Sequence, residues 1–197
     1  MASLYIIGTG PGDLSHLTEA ARQAIAEATV VVGYSVYIDL IRPLLDGKEI
    51  VATGMMHEVD RCCEAIRRAR EGATVALVSG GDAGIYGMAG LLLELLENDA
   101  ADNDAAQPEI RIISGISAVQ AAASVLGAPL MHDFAVISLS DLLTPWELIK
   151  ARLEAAAKAD FVIALYNPAI RINHLLIKRA DKMNPPVISK YFHPEIK

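Results

Sequence analysis

Cysteine and aromatic side chains are scarce in this chain of 197 residues: it has two cysteines, one tryptophan and an aromatic fraction of 5%. The cysteines, Cys62 and Cys63, are neighbours, a spacing that supports neither a disulfide framework nor a zinc motif. They read as inert helix residues in a reducing compartment, and no metal site is expected. So few aromatics leave little for a base-stacking surface. Basic residues are also in the minority. The formal net charge is −7 and the pI about 5.2, so the basic stripe of a nucleic-acid binder is missing. No apolar run reaches the roughly 18 residues of a membrane span. The opening MASLYIIGTGPG has no basic segment ahead of its apolar stretch and reads as a first strand, not a signal peptide. The expectation is a soluble cytoplasmic protein with neither nucleic acid nor membrane as partner.

Apolar residues are plentiful, at 53% with a mean hydropathy of +0.34. A chain of this length and composition can bury a sizeable core, in one large domain or two small ones. Short, continuously apolar runs alternate with helical patterns, the signature of βαβ units and a mainly parallel sheet. Strands are expected at residues 4–7, 30–32, 49–52, 74–78 and 110–113. Helices are expected at 17–28 (with Thr18 as N-cap), 37–45, 58–70, 88–97 and 117–125. The polar stretch 98–108 is a surface connection. After Gly127-Ala128-Pro129 a second alternation follows: strand 134–139, helix 145–157, strand 161–166, helix 172–182 and strand 186–189. The fold class is therefore α/β. Two domains are expected, 1–130 and 131–197.

Three glycine-containing turns follow predicted strands: Gly8 to Asp13, Gly80 to Gly84, and Ser114 to Ser117. In an open α/β sheet, ligands bind outside the carboxyl ends of the strands, and glycine allows close backbone approach. One such turn is ordinary, whereas three on one sheet edge favour a binding site. The first turn is not a dinucleotide fingerprint, because G-x-G-x-x-G needs glycine at position 13, where Asp13 stands. The chain has no Walker A sequence either.

The strings GTGPGDLSHLT (8–18), GGDAGIYG (80–87) and SGISAVQAAASVLGAPLMHDF (114–134) resemble the S-adenosylmethionine-dependent tetrapyrrole methyltransferases. GYSVYIDLI (33–41), TGMMHEVDRC (53–62), ISLSDLLTPWE (137–147) and ALYNP (164–168) are similar to the members that methylate C17 of the corrin precursor. The resemblance implies two α/β domains with the active site in a cleft between them, and a homodimer. It implies methyl transfer from S-adenosylmethionine to C17 of precorrin-3B or cobalt-factor III, with ring contraction. The alternatives are a related enzyme acting at another carbon, or a non-catalytic protein that binds tetrapyrrole or cofactor. The resemblance covers residues 4 to about 170 and fades after Pro168, which implies a second domain truncated relative to the family.

Carried over by motif position, the resemblance implies cofactor binding by Pro11, Gly80, Gly81, Asp82, Ile85, Ser117, Ala118 and Asn167. Gly10, Gly12 and Asp13 would line the tetrapyrrole trough. An acidic protein holding a polycarboxylate needs local cations, and Arg42, Arg61, Arg67 and Arg171 are candidates. No catalytic residue is assigned. Tyr34, Tyr37, Asp39, His57, Glu58 and His132 are the titratable residues within the family-like strings. Plainer readings stand beside these. His57 reads as a surface or helix-start residue. His132-Asp133 is either a structural bridge between domains or a substrate contact. Asp13 either caps a turn or lines the trough. Met55-Met56 reads as core filler, Arg67 to Glu71 as a solvated helix end, and Trp146 as a packing anchor.

Overall fold

The computed structural model describes residues 2–100, 107–167 and 187–189. The chain divides into two compact units, Met1–Ala118 and Val119–Lys197. Sequence punctuation placed the boundary later, at 130/131. The eight-residue helix of the Ala-rich string lies between those two points and belongs almost entirely to the second unit.

The first unit is a five-stranded, fully parallel sheet. Its strands are β1 (Ser3–Gly8), β2 (Val30–Tyr34), β3 (Glu49–Thr53), β4 (Val75–Ser79) and β5 (Glu109–Ile113), in the order β3-β2-β4-β1-β5. The central strands are apolar on both faces because helices cover both. Leu4 and Ile6 of β1 face one layer, where they pack with Val75 and Leu77 against α3 (Glu58–Arg70) and α4 (Ala89–Ala100). Tyr5 and Ile7 face the other layer, with Ala76 and Val78, against α1 (Glu19–Glu27) and α2 (Ser35–Leu40). Right-handed crossovers dictate this division: β1 to β2 and β2 to β3 step one way along the sheet, while β3 to β4 and β4 to β5 step back.

Local signals explain the helix boundaries. Thr18 caps α1 by accepting the Ala21 N–H at 3.2 Å, as its position before the helical run predicted. The helix expected over 37–45 is shorter. It ends at Leu40 and gives way to a 3-10 turn at Arg42–Leu44, because Pro43 offers no N–H to continue the α ladder.

In the second unit, β6 (Phe134–Ser138), β7 (Val162–Tyr166) and β8 (Val187–Ser189) form a parallel sheet in the order β6-β7-β8. Helix α6 (Trp146–Lys158) buries Ile149 and Ala156 on Ile137, Leu139 and Ile163, and Trp146 packs against the same cluster, matching its reading as an anchor. The second unit also holds most of α5 (Ala118–Val125), whose Ala122 packs on Val162. The helix expected at 172–182 lies outside the described residues.

Candidate functional site

β1 and β4 are adjacent, yet their onward connections leave in opposite directions, to β2 and to β5. That is a topological switch point, where a crevice opens outside the carboxyl ends of the two strands. The turns Gly8 to Asp13 and Gly80 to Gly84 leave the sheet there, and Ser114 to Ser117 leaves from β5 alongside β1.

Backbone hydrogen bonds join the first two turns. The Thr9 N–H and hydroxyl both donate to the Ser79 carbonyl, at 2.8 and 3.1 Å. Gly10 and Gly81 then exchange a reciprocal pair: Gly10 N–H to the Gly81 carbonyl at 3.0 Å, and Gly81 N–H to the Gly10 carbonyl at 2.8 Å. Gly10 has φ +78° and Gly81 φ +66°, the left-handed region that glycine adopts without steric cost. Packing is tight at Gly8, where an added Cβ would lie 2.6 Å from both the Gly115 nitrogen and the Gly81 oxygen. A Cβ on Gly115 would strike the Gly81 carbonyl in turn. The three turns meet only because both residues lack side chains.

The third turn is fixed by charge. Asp82 Oδ2 accepts the Gly115 N–H at 3.0 Å, and Oδ1 accepts the Gly84 N–H at 2.8 Å. Ser117 is buried, and the backbone of Ser117 and Ala118 stands 3.7–3.8 Å from where a Gly81 Cβ would be. Pro11, Gly80, Gly81, Asp82, Ser117 and Ala118 are thus gathered at one sheet edge. Gly10 and Gly12 lie in the same first turn, while Ile85 follows the second and is exposed. Asn167 belongs to the second unit. There it holds φ +48° and donates from Nδ2 to Ser138 Oγ at 3.2 Å.

Several other candidates acquire definite surroundings. Asp13 accepts the Ser15 N–H at 2.7 Å as the cap of a 3-10 turn, and hydrogen bonding from the Ser15 hydroxyl, then from its backbone N–H, lowers the carboxyl pKa. His57 begins α3 and meets Asp60 at 2.8 Å on the surface, as expected of a helix-start residue. Arg67 joins Glu64 and Glu71 on a solvated helix end, and exposed Arg42 joins Asp39 at 2.7 Å. Arg171 lies outside the described residues. Met55 and Met56 are not core filler. They are 70% and 81% exposed, because the loop after β3 turns outward with Met56 at φ +65°. His132 is exposed, and the Asp133 carbonyl accepts the Val162 N–H at 3.1 Å within the second unit. Among the described residues, no group of three or more His, Cys, Asp or Glu is placed to hold a metal. Likewise, no described helix is long and apolar enough to cross a membrane.

Sequence reasoning placed Gly8, Thr9 and Gly115 within the glycine turns but gave no site role to them or to Ser79, although Thr9 bonds Ser79 and Gly115 bonds Asp82. The signal was available, since Gly8 closes β1 and Gly115 sits in the S-G-I-S turn.

Comparison with known proteins decides the family. The model of the tetrapyrrole (corrin/porphyrin) methylases matches residues 3–188. The chain belongs to this family. The match runs past Pro168, where the motif strings stop. Within the tetrapyrrole methylases, the chain is 53% identical over 165 residues to a cobalt-factor III methyltransferase of Priestia megaterium, covering 84% of this chain and 30% of that protein. It is 52% identical over 168 residues to a probable cobalt-factor III C(17)-methyltransferase of Salmonella typhimurium, covering 85% and 68%. A precorrin-3B C(17)-methyltransferase of a Sinorhizobium species is 43% identical over 166 residues, covering 84% and 64%. The crystal structure of the methyltransferase CobJ superposes with a TM-score of 0.80 at 41% identity, covering 88% of this chain and 71% of that one.

Proposed function

We propose that this chain carries the methyl-donor site of a C17-methyltransferase of corrin biosynthesis, acting on precorrin-3B or cobalt-factor III. The observation that carries the reading is the convergence of three glycine turns into a cradle at the β1/β4 switch point, packed so closely that a Cβ at Gly8 or Gly115 would strike the backbone of a neighbouring turn. The names of its relatives agree with it.

The cradle fits S-adenosylmethionine. That donor supplies a methyl on a sulfonium: the carbon–sulfur electron pair returns to sulfur, and electrons of the macrocycle form the new bond at C17. The protein has little covalent work to do, and its contribution is positioning. Gly81 spends its N–H and carbonyl on Gly10, so contacts to the polar ends of the donor fall to the backbone of Gly80 and Asp82. The Asp82 carboxylate keeps lone pairs beyond the two it uses, and its charge favours a cationic ligand. Pro11, Ile85, Ser117 and Ala118 complete the donor's surroundings in this reading, and the family resemblance adds Asn167 to the donor-binding set. Gly10, Gly12 and Asp13 would face the macrocycle. The same reading assigns a homodimer in the cytoplasm, where an exposed thiol such as Cys63 stays reduced.

The test is incubation with methyl-labelled S-adenosylmethionine and either tetrapyrrole, locating the label by NMR. The expected result is label on C17 of a ring-contracted product. Label on another carbon, or donor binding without transfer, would overturn the assignment.

A further inference from the structure

Arg61 is a charged residue that the sheet-edge site does not absorb. It lies in α3 at 4% exposure, and among the described residues none of its hydrogen-bond partners carries a charge. Nε donates to Thr53 Oγ1 at 2.8 Å, Nη2 to the Gly54 carbonyl at 2.9 Å, and Nη1 to Met88 Sδ at 3.6 Å. A guanidinium buried without a carboxylate is costly, and such a group is retained where its donors organise something else. Here they join the loop after β3 to the residue just before α4, at the carboxyl edge of the sheet.

The guanidinium also faces an aromatic pair. Its central carbon is 5.9 Å from the centroid of Tyr34, at the end of β2. Tyr34 meets Tyr37 of α2 edge to face, with centroids 5.4 Å apart and planes at 87°. Tyr37 in turn lies on the backbone of Gly80, where an added Cβ would be 2.5 Å from the ring's Cε1 and 2.6 Å from Cζ. Cation–π and edge-to-face contacts are directional, so this row resists sliding more than aliphatic packing does.

We propose that Tyr37, backed by Tyr34 and Arg61, is a positioning residue that fixes the Gly80 backbone for the methyl donor. The proposal rests on the donor site proposed above. Arg61 braces the far end of the same turn through Met88, so the segment from Gly80 to Met88 is held at both ends. The guanidinium is needed for its fork as well as its charge, because a lysine ammonium cannot reach three divergent acceptors and stack on a ring together.

The experiment compares the full chain with Tyr37→Leu, Tyr37→Phe, Arg61→Lys, Gly80→Ala and the double variant Tyr37→Leu/Gly80→Ala. Calorimetry gives the Kd for S-adenosylmethionine, and turnover gives kcat and KM. Tyr37→Leu and Arg61→Lys are expected to raise Kd and KM for the donor about tenfold, with kcat at saturating donor little changed. Tyr37→Phe, which keeps the ring, restores the affinity that Tyr37→Leu loses. Gly80→Ala weakens binding less in the Tyr37→Leu background, because the colliding ring is gone. Should Tyr37→Leu not fold, Arg61→Lys carries the test. Unchanged donor affinity in Arg61→Lys, or additive penalties in the double variant, would overturn the support. A wild-type chain that binds no donor would instead overturn the functional reading.

Discussion

The carboxylate of Asp82 holds the backbone N–H of Gly115 at 3.0 Å, fixing the turn after β5 to the turn after β4 across the end of β1. Its other oxygen fixes its own turn at Gly84. Asp82→Ala removes both acceptors and leaves two N–H groups to find water. The expected cost is about 2 kcal/mol, since hydrogen bonds to charged groups contribute roughly 1.5–3 kcal/mol each before relaxation. Urea denaturation measures it. Asp82→Asn keeps one oxygen acceptor and should fall between wild type and alanine.

The glycines divide sharply. Gly8→Ala and Gly115→Ala place a Cβ on backbone atoms that cannot give, so both variants should fail to fold or lose several kcal/mol. Gly90→Ala should do the opposite. Gly90 lies in α4 with open space around its Cβ position, and alanine there should add about 0.5–1 kcal/mol by restricting the unfolded chain. Thermal melts of the three variants check both directions.

The adjacent cysteines should react differently. Cys62 is fully buried in α3, and burial pushes its thiol pKa up to about 12, so no useful fraction is thiolate near neutral pH. Cys63 is exposed. A thiol reagent at pH 8 should label one cysteine in the native chain and two in denaturant. Cys63→Ser should abolish native labelling, and labelling of Cys62 in the native state would contradict the packing of α3.

Acid should weaken the α3 surface in a defined window. Hydrogen bonds from Arg67 and Arg68 lower the Glu64 carboxyl pKa from 4.5 to about 2. A depressed folded-state pKa gives stability that is present above the unfolded value and lost as pH falls through the folded one. The contribution of Glu64 should therefore be intact at pH 5 and disappear between about 4.5 and 2. Denaturation of Glu64→Gln against wild type across that range should show curves that converge as the pH drops.

Much of this was legible from residue types. Runs such as Val30-Val31-Val32 and Val75 to Val78 announced strands buried on both faces, and Thr18 announced the start of α1. The three glycine turns were visible too, and the motif strings around them pointed to the family. What the sequence could not disclose was which turns touch. The strand order β3-β2-β4-β1-β5 brings positions 8, 81 and 115 together, and no local pattern encodes that order. The surroundings of Arg61 were hidden for the same reason, since its partners Thr53, Met88 and Tyr34 come from separate elements. The exposure of Met55 and Met56 was missed because apolar side chains default to the core in composition reasoning. A positive φ at Met56 turns that loop outward.

The most direct test of the donor site is an amide-resonance titration of the isotope-labelled chain with S-adenosylmethionine. Saturable shifts should concentrate on Gly10, Gly81, Asp82, Gly115 and Ser117, while Gly47 and Gly72, in turns that precede β3 and β4, stay still. A titration that leaves the Gly80 to Gly84 turn unmoved, or shifts only residues remote from the β1/β4 switch point, would contradict it.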